Sequence, residues 1–308
     1  MGKRSGQAVR NRNASAPPPA PESLGAAVPD SHTHMDMQDP PVERIIADAA
    51  DVGVRPLVQV GCDVAGARWA VDTARHHPGD VWAAVALHPN EAPRIVYGDG
   101  APGVEVDETD WAGKLRPAGG TAGLDEAVAE IDQLAAAEEV RAVGETGLDY
   151  FRTGEEGVQA QQESFRRHVE LAKRHDKALM IHDRQAHDDV LRVLDEEGAP
   201  ERVIFHCFSG DADLAEVCAH NGYFMSFAGN VTFASATELR EAVAAAPAEL
   251  LLVETDAPFL TPRPYRGRPN APYLVPHTLR AVAEAKDLAE DKLAELVADN
   301  ARRAFGLA

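Results

Sequence analysis

The chain has 308 residues, 44% of them hydrophobic and 26% charged, enough for one large globular domain or two ordinary ones. No apolar run approaches the roughly 20 residues that span a bilayer, so no membrane span is expected. The formal net charge of −20 excludes binding to nucleic acid over a broad basic face.

The N-terminus holds Lys3, Arg4, Arg10 and Arg12 but lacks the apolar segment of ~7–15 residues that a signal peptide needs. Cys62, Cys207 and Cys218 form no CxxC pair and read as reduced thiols, as in a cytoplasmic protein. Residues 1–25 are rich in Ala, Pro, Ser and Asn, include Pro17-Pro18-Pro19, and show no hydrophobic periodicity. They cannot bury enough apolar surface to offset chain entropy, and a disordered tail is expected there.

From about residue 26 the chain alternates. Short apolar runs predict strands near 26–31, 55–60, 81–87, 140–144, 178–182, 202–206, 223–228 and 250–254. Between them, Val42 to Ala50, Leu124 to Glu139, Gln161 to Arg174, Ala186 to Glu197 and Ala212 to His220 carry apolar residues at helical spacing. Val275 to Phe305 reads as two closing helices. One stretch breaks the rhythm. Glu91 to Gly123 holds seven glycines with Asp99, Glu105, Asp107, Glu108 and Asp110, and reads as a long acidic insertion, either a lid or a surface excursion.

The alternation predicts an α/β protein, a (β/α)₈ TIM barrel over 26–308, with a doubly wound open sheet as the competitor. Potential metal ligands decide for the barrel: His32, His34, Glu145, His182, His206 and Asp256 each sit where an apolar run stops. They belong to runs one, four, five, six and eight, which an open sheet would spread apart and a barrel gathers at one mouth. His32 and His34, one residue apart in a strand, face the same way. Asp36, two residues on, is either an acceptor that fixes an imidazole tautomer or a turn acid. Four histidines and two carboxylates exceed the needs of one tetrahedral ion and fit two ions sharing Glu145. Asp256 is then placed to take a proton from an activated water. From Ala257 to Ala283 there are four arginines, Arg263, Arg266, Arg268 and Arg280, and no acid, which suggests an anion-binding loop directly after the last ligand.

Seven ordered motifs then carry a resemblance. They are Asp30-Ser31-His32-Thr33-His34-Met35-Asp36, Leu87-His88-Pro89, Gly144-Glu145-Thr146-Gly147-Leu148-Asp149-Tyr150 and Ile181-His182-Asp183-Arg184. His206-Cys207-Phe208-Ser209-Gly210, Glu254-Thr255-Asp256-Ala257-Pro258 and Arg266-Gly267-Arg268-Pro269-Asn270-Ala271-Pro272 complete the series. In this order they resemble the TatD family of metal-dependent deoxyribonucleases, in the amidohydrolase-like superfamily, from about residue 28 to the C-terminus. Ser31, Thr33, Met35 and Thr146 depart from the usual neighbours, and the 91–123 insertion is longer than the family norm.

The resemblance implies a site of two divalent ions (Mg²⁺, Mn²⁺ or Zn²⁺) on His32, His34, Glu145, His182, His206 and Asp256. It implies a nuclease on DNA, often a 3′–5′ exonuclease. Glu145 and Asp256 are the expected catalytic residues, and His88, Arg184, Arg266, Arg268 and Asn270 the expected substrate contacts, on the arginine match to phosphate. A cytoplasmic monomer acting on single-stranded or damaged DNA ends is the first expectation. A hydrolase of a small phosphoester, ester or amide is the alternative, and a barrel that binds without turnover is a third reading.

Overall fold

The computed structural model describes residues 16–99 and 117–307. Eight parallel strands, β1 (Val28–Thr33), β2 (Val54–Gly61), β3 (Val81–Val85), β4 (Val140–Asp149), β5 (Ala178–Arg184), β6 (Val203–Phe205), β7 (Phe224–Phe227) and β8 (Leu251–Val253), pair in sequence order. All eight predicted runs are strands. Closure comes from main-chain bonds just beyond β8: Asp256 N donates to His32 O at 2.9 Å and His34 N to Ala257 O at 2.8 Å. Buried Asp30 adds to this seam, accepting from Thr255 N at 2.8 Å and from its hydroxyl. The open sheet is thereby ruled out.

Ten helices are present among the described residues: α1 (Val42–Asp51), α2 (Val64–His76), α3 (Glu91–Tyr97), α4 (Gly120–Ala135), α5 (Glu155–Arg174), α6 (His187–Glu197), α7 (Ala212–Asn221), α8 (Thr237–Ala245), α9 (Val275–Lys286) and α10 (Glu290–Ala304). Their starts are locally encoded where an acid precedes them. Asp63 accepts from Gly66 N at 2.7 Å to open α2, and Asp211 from Leu214 N at 3.0 Å to open α7, each such cap contributing about 1 kcal/mol. No helix among the described residues is long and apolar enough to cross a membrane.

The apolar packing falls in two shells. The larger lies between strands and helices; the smaller fills the barrel with Val58, Val60, Ala84, Ala142, Ala178, Met180, Ile204, Phe224 and Leu252. Ala301, Ala304 and Phe305, from the end of α10, close its floor. Side chains alternate along a strand, so Ala178 and Met180 are followed inward by His182, Ile204 by His206, and Leu252 by Glu254. The barrel is thus plugged below and polar above.

Two expectations need correction. The tail was expected to lack structure to residue 25, and residues 1–15 lie outside the described part. Ala16 to Gly25, however, is held against the barrel. Arg268 donates to the carbonyls of Ala16 and Pro17, the Tyr273 hydroxyl to Pro18 O, and Arg280 to Glu22 O, while Leu24 is buried. Backbone carbonyls taken up by distant side chains leave no periodicity in the segment itself. The insertion expected from Glu91 to Gly123 is helical at both ends, α3 and the start of α4. Its acids Glu105, Asp107, Glu108 and Asp110 lie outside the described residues.

Candidate metal centre

Glu145 is the hub, and a slip in the sheet aims it. Val143 pairs with Leu179 and Thr146 with Ile181, so Gly144 and Glu145 together oppose Met180 alone. Such a bulge redirects one side chain, and Glu145 rather than its neighbours turns inward. Both flanking glycines are required. A Cβ on Gly144 would lie 2.4 Å from the Met180 Cβ, and one on Gly147, at φ 133°, would lie 2.2 Å from His182 O.

Two donor groups meet the two oxygens of Glu145. Its Oε1 lies 3.5 Å from His32 Nε2 and 3.6 Å from His34 Nε2, and Asp256 Oδ1 lies 3.8 and 3.6 Å from the same nitrogens. Its Oε2 lies 3.1 Å from His182 Nδ1 and 2.7 Å from His206 Nε2, which are 3.4 Å apart. Ligand atoms placed 2.0–2.2 Å from a tetrahedral ion lie roughly 3.3–3.6 Å from one another. All six residues expected as ligands are brought together, with facing donor atoms 2.7 to 3.8 Å apart around the two Glu145 oxygens. Asp256 reaches the centre through a left-handed backbone, φ 53°, a conformation uncommon in residues other than glycine.

The outer ring nitrogens test the fit further. His32 Nδ1 meets Met180 Sδ at 3.2 Å, His34 Nδ1 meets Val60 O at 3.2 Å, and His206 Nδ1 meets Glu254 Oε1 at 3.3 Å. His182 Nε2 lies 3.3 Å from Asp149 Oδ2. Each outer nitrogen thus faces an acceptor, and in the tautomer that carries the proton there the inner nitrogen is left free for a metal. His88 is the reverse. Its Nδ1 accepts from Asn90 N at 3.1 Å, so in the neutral ring the proton sits on Nε2, 3.9 Å from Glu145 Oε2. His88 is built to donate a hydrogen bond into the site, although its position alone would group it with Glu145 and His182 as ligands.

Without a cation in the cluster, the imidazoles and carboxylates balance one another's charge, and a metal would displace protons from the raised imidazoles. Burial lowers the pKa of His88 to about 3, against the pull of Glu145, and keeps the ring neutral. Burial opposes the charge of Glu145 too, but the surrounding imidazoles, His206 foremost, hold its carboxyl well below the usual range. His206 is driven well above its ordinary value, burial being outweighed by Glu145 and Glu254. For His34, burial is outweighed by Asp256 and Glu145, which raise it to about 9. Cys62 donates to Glu145 Oε1 at 3.4 Å, and burial pushes the Cys62 and Cys207 thiols well up, so both stay protonated.

The expected substrate contacts divide. Arg184 ends β5 with its Cζ 3.9 Å over the Phe151 ring, and the Arg266 Cζ lies 4.5 Å over Phe233. Arg268 is engaged with Ala16 and Pro17. Asn270 is buried and donates to Thr255 O at 2.9 Å and to Phe259 O, so it holds the loop that carries Asp256. Asp36 does not touch an imidazole; it accepts from Gln59 Nε2 at 2.8 Å, and Val60 O takes the His34 proton. Glu254 and Asp149, which back His206 and His182, carried no role in the sequence reading. For Glu254 a signal existed, since it continues the inward alternation of β8.

Known proteins resemble this chain along nearly its whole length. The family model described as TatD related DNase aligns with residues 29–306. An uncharacterized metal-dependent hydrolase TatD from Mycobacterium tuberculosis is 43% identical over 90% of this chain and 97% of its own length. The Bacillus subtilis metal-dependent hydrolase YabD is 34% identical over 90% and 98%. The crystal structure of YjjV, a TatD homolog from Escherichia coli, superposes with a TM-score of 0.75 at 25% identity, covering 91% of this chain and 98% of that one. With a barrel that closes at Asp256 and a donor cluster around Glu145, the chain belongs to the TatD family of metal-dependent hydrolases.

Proposed function

We propose that the chain is a divalent-metal-dependent deoxyribonuclease that removes nucleotides from the 3′ end of single-stranded or damaged DNA, as a monomer with two ions. The observation that carries this reading is the division of Glu145, each oxygen meeting its own set of imidazole lone pairs. His32, His34 and Asp256 on one side and His182 and His206 on the other would hold the ions, which when bound would supply Lewis acidity to activate water and to neutralise phosphoryl charge.

The chain's own groups do the rest. Asp256 is ionised, its carboxyl held low against burial by His34 and its neighbours, and it accepts the proton of the attacking water. His88 donates from Nε2 to a phosphoryl oxygen. Arg184, flat against Phe151, offers its guanidinium edge to the next phosphate. With so few cations at the mouth and a net charge of −20, binding should favour ends over a long duplex and weaken only modestly with salt.

The test is digestion of a 3′-protected and an unprotected end-labelled oligonucleotide with Mg²⁺, Mn²⁺ or Zn²⁺ varied. Unprotected single strands should shorten stepwise only with metal, and His206→Ala, with its fold intact by circular dichroism, should lose at least about 100-fold. If metal-loaded protein leaves every oligonucleotide intact yet hydrolyses small phosphoesters, esters or amides, the alternative small-molecule activity replaces this one.

A further inference from the structure

Two phenylalanines at the mouth are left outside the core. Among the described residues the exposed large hydrophobic side chains are Met37, Tyr97, Phe151, Val217 and Phe259, and the two phenylalanines are 55% and 51% exposed. Phe151 follows β4 and Phe259 follows β8. In a closed barrel whose eight strands run in sequence order, those strands stand opposite each other. The two rings therefore belong to loops on opposite sides of the mouth that holds the donor cluster.

Each ring is fixed by the residues that build that cluster. Phe259 lies edge-on to His34, centroids 6.2 Å apart; its N donates to Asp256 O at 2.8 Å, and its carbonyl accepts from Asn270. Phe151 N donates to Asp149 Oδ1 at 3.1 Å, the other oxygen of Asp149 being the one beside His182. Arg184 covers one face of the Phe151 ring. Holding exposed rings in place beside ionised groups contributes little to folding, since most of their surface stays in water. A flat apolar surface at fixed distance from a phosphate-sized cluster is what a nucleobase stacks on.

We propose that Phe259 and Phe151 are stacking platforms for unpaired bases, one on each side of the scissile phosphate, and that they set the preference for single-stranded ends. The inference rests on the nuclease reading above and adds its means of recognition. Bases in a duplex are stacked on each other and cannot reach either ring; bases at an unpaired end can. Stacking also needs no phosphate contact, so it supplies affinity that the acidic surface does not oppose.

The test compares KM for a single-stranded oligonucleotide with that for the same strand carrying abasic residues at its last two 3′ positions. Wild type should prefer the base-bearing end about 100-fold, tenfold for each of the two stacked bases. In Phe259→Leu or Phe151→Leu that preference should fall to about tenfold, and in the double variant towards unity, whereas Phe259→Trp and Phe151→Trp should retain it. A merely structural role would move both substrates together and leave the ratio unchanged. Leucine variants with the wild-type ratio, or a wild type without preference, overturn the proposal while the nuclease activity stands. A wild type that cleaves neither strand with any metal overturns the nuclease reading, and this inference with it.

Discussion

The two halves of the centre place negative charge differently. Around Glu145 Oε1, a second carboxylate, Asp256, sits directly among the donor atoms, and the outer nitrogens of His32 and His34 meet a thioether, a carbonyl and the Cys62 thiol but no carboxylate. Around Glu145 Oε2 both donors are imidazoles, and the carboxylates Glu254 and Asp149 stand one step behind them. Exposure follows the same split. The Asp256 side chain is 14% exposed, against 0% for Glu254 and 1% for Asp149. A carboxylate that can meet water serves as a proton acceptor, whereas sealed carboxylates orient imidazoles and raise their basicity. On the proposed function, one half would react and the other would hold.

Removing the group common to both halves should have the largest effect. Glu145→Gln should lose both metal equivalents by mass spectrometry and depress turnover beyond the ~10²–10⁴-fold cost of a missing general base. Retention of either ion by that variant would mean that the halves do not share Glu145. Next comes the contrast itself. Asp256→Asn should lower kcat by about 10²–10⁴-fold even at saturating metal. Glu254→Gln should weaken metal affinity about 10–100-fold, with kcat recovering as metal is added. Metal titrations of the two variants side by side check this, and equal rescue of both would erase the distinction.

The smallest effect concerns how the holding half is propped. His168, buried in α5, accepts from Leu87 N at 3.1 Å and donates from Nδ1 to Ser164 O at 2.7 Å, which fixes the segment leading to His88. Burial lowers its pKa to about 4. The unfolded chain, with an ordinary value near 6.5, takes up this proton first. Stability from His168 is therefore complete above pH ~6.5 and declines as pH falls towards 4, by at most about 3 kcal/mol. Urea unfolding at pH 7 and pH 5 should show this slope in wild type and a shallower one in His168→Gln.

Much of this molecule is readable from one dimension. A strand that is apolar on its inward face and ends in histidine announces itself, as Leu179-Met180-Ile181-His182 and Val203-Ile204-Phe205-His206 do. The helices that escaped the sequence reading, α2, α3 and α8, are those with an alanine-rich buried face, an acidic flank or only nine residues. The loop after β8 shows what residue type leaves unsaid. Arg268 and Asn270 are expected contacts for phosphate, and residue type carries no record of the partners they already have. Their partners are Ala16, Pro17, Thr255 and Phe259.

What the amino-acid order determined by itself was the series of strand ends and the ligand on each, because alternation and apolar runs are local properties. Tertiary structure alone decided the rest. The slip that turns Glu145 inward depends on how β4 lies against β5. The choice of Nδ1 or Nε2 on each imidazole depends on acceptors such as Glu254 and Asp149, 48 residues from His206 in one case. Those contacts form only when the barrel closes, and no spacing along the chain encodes them.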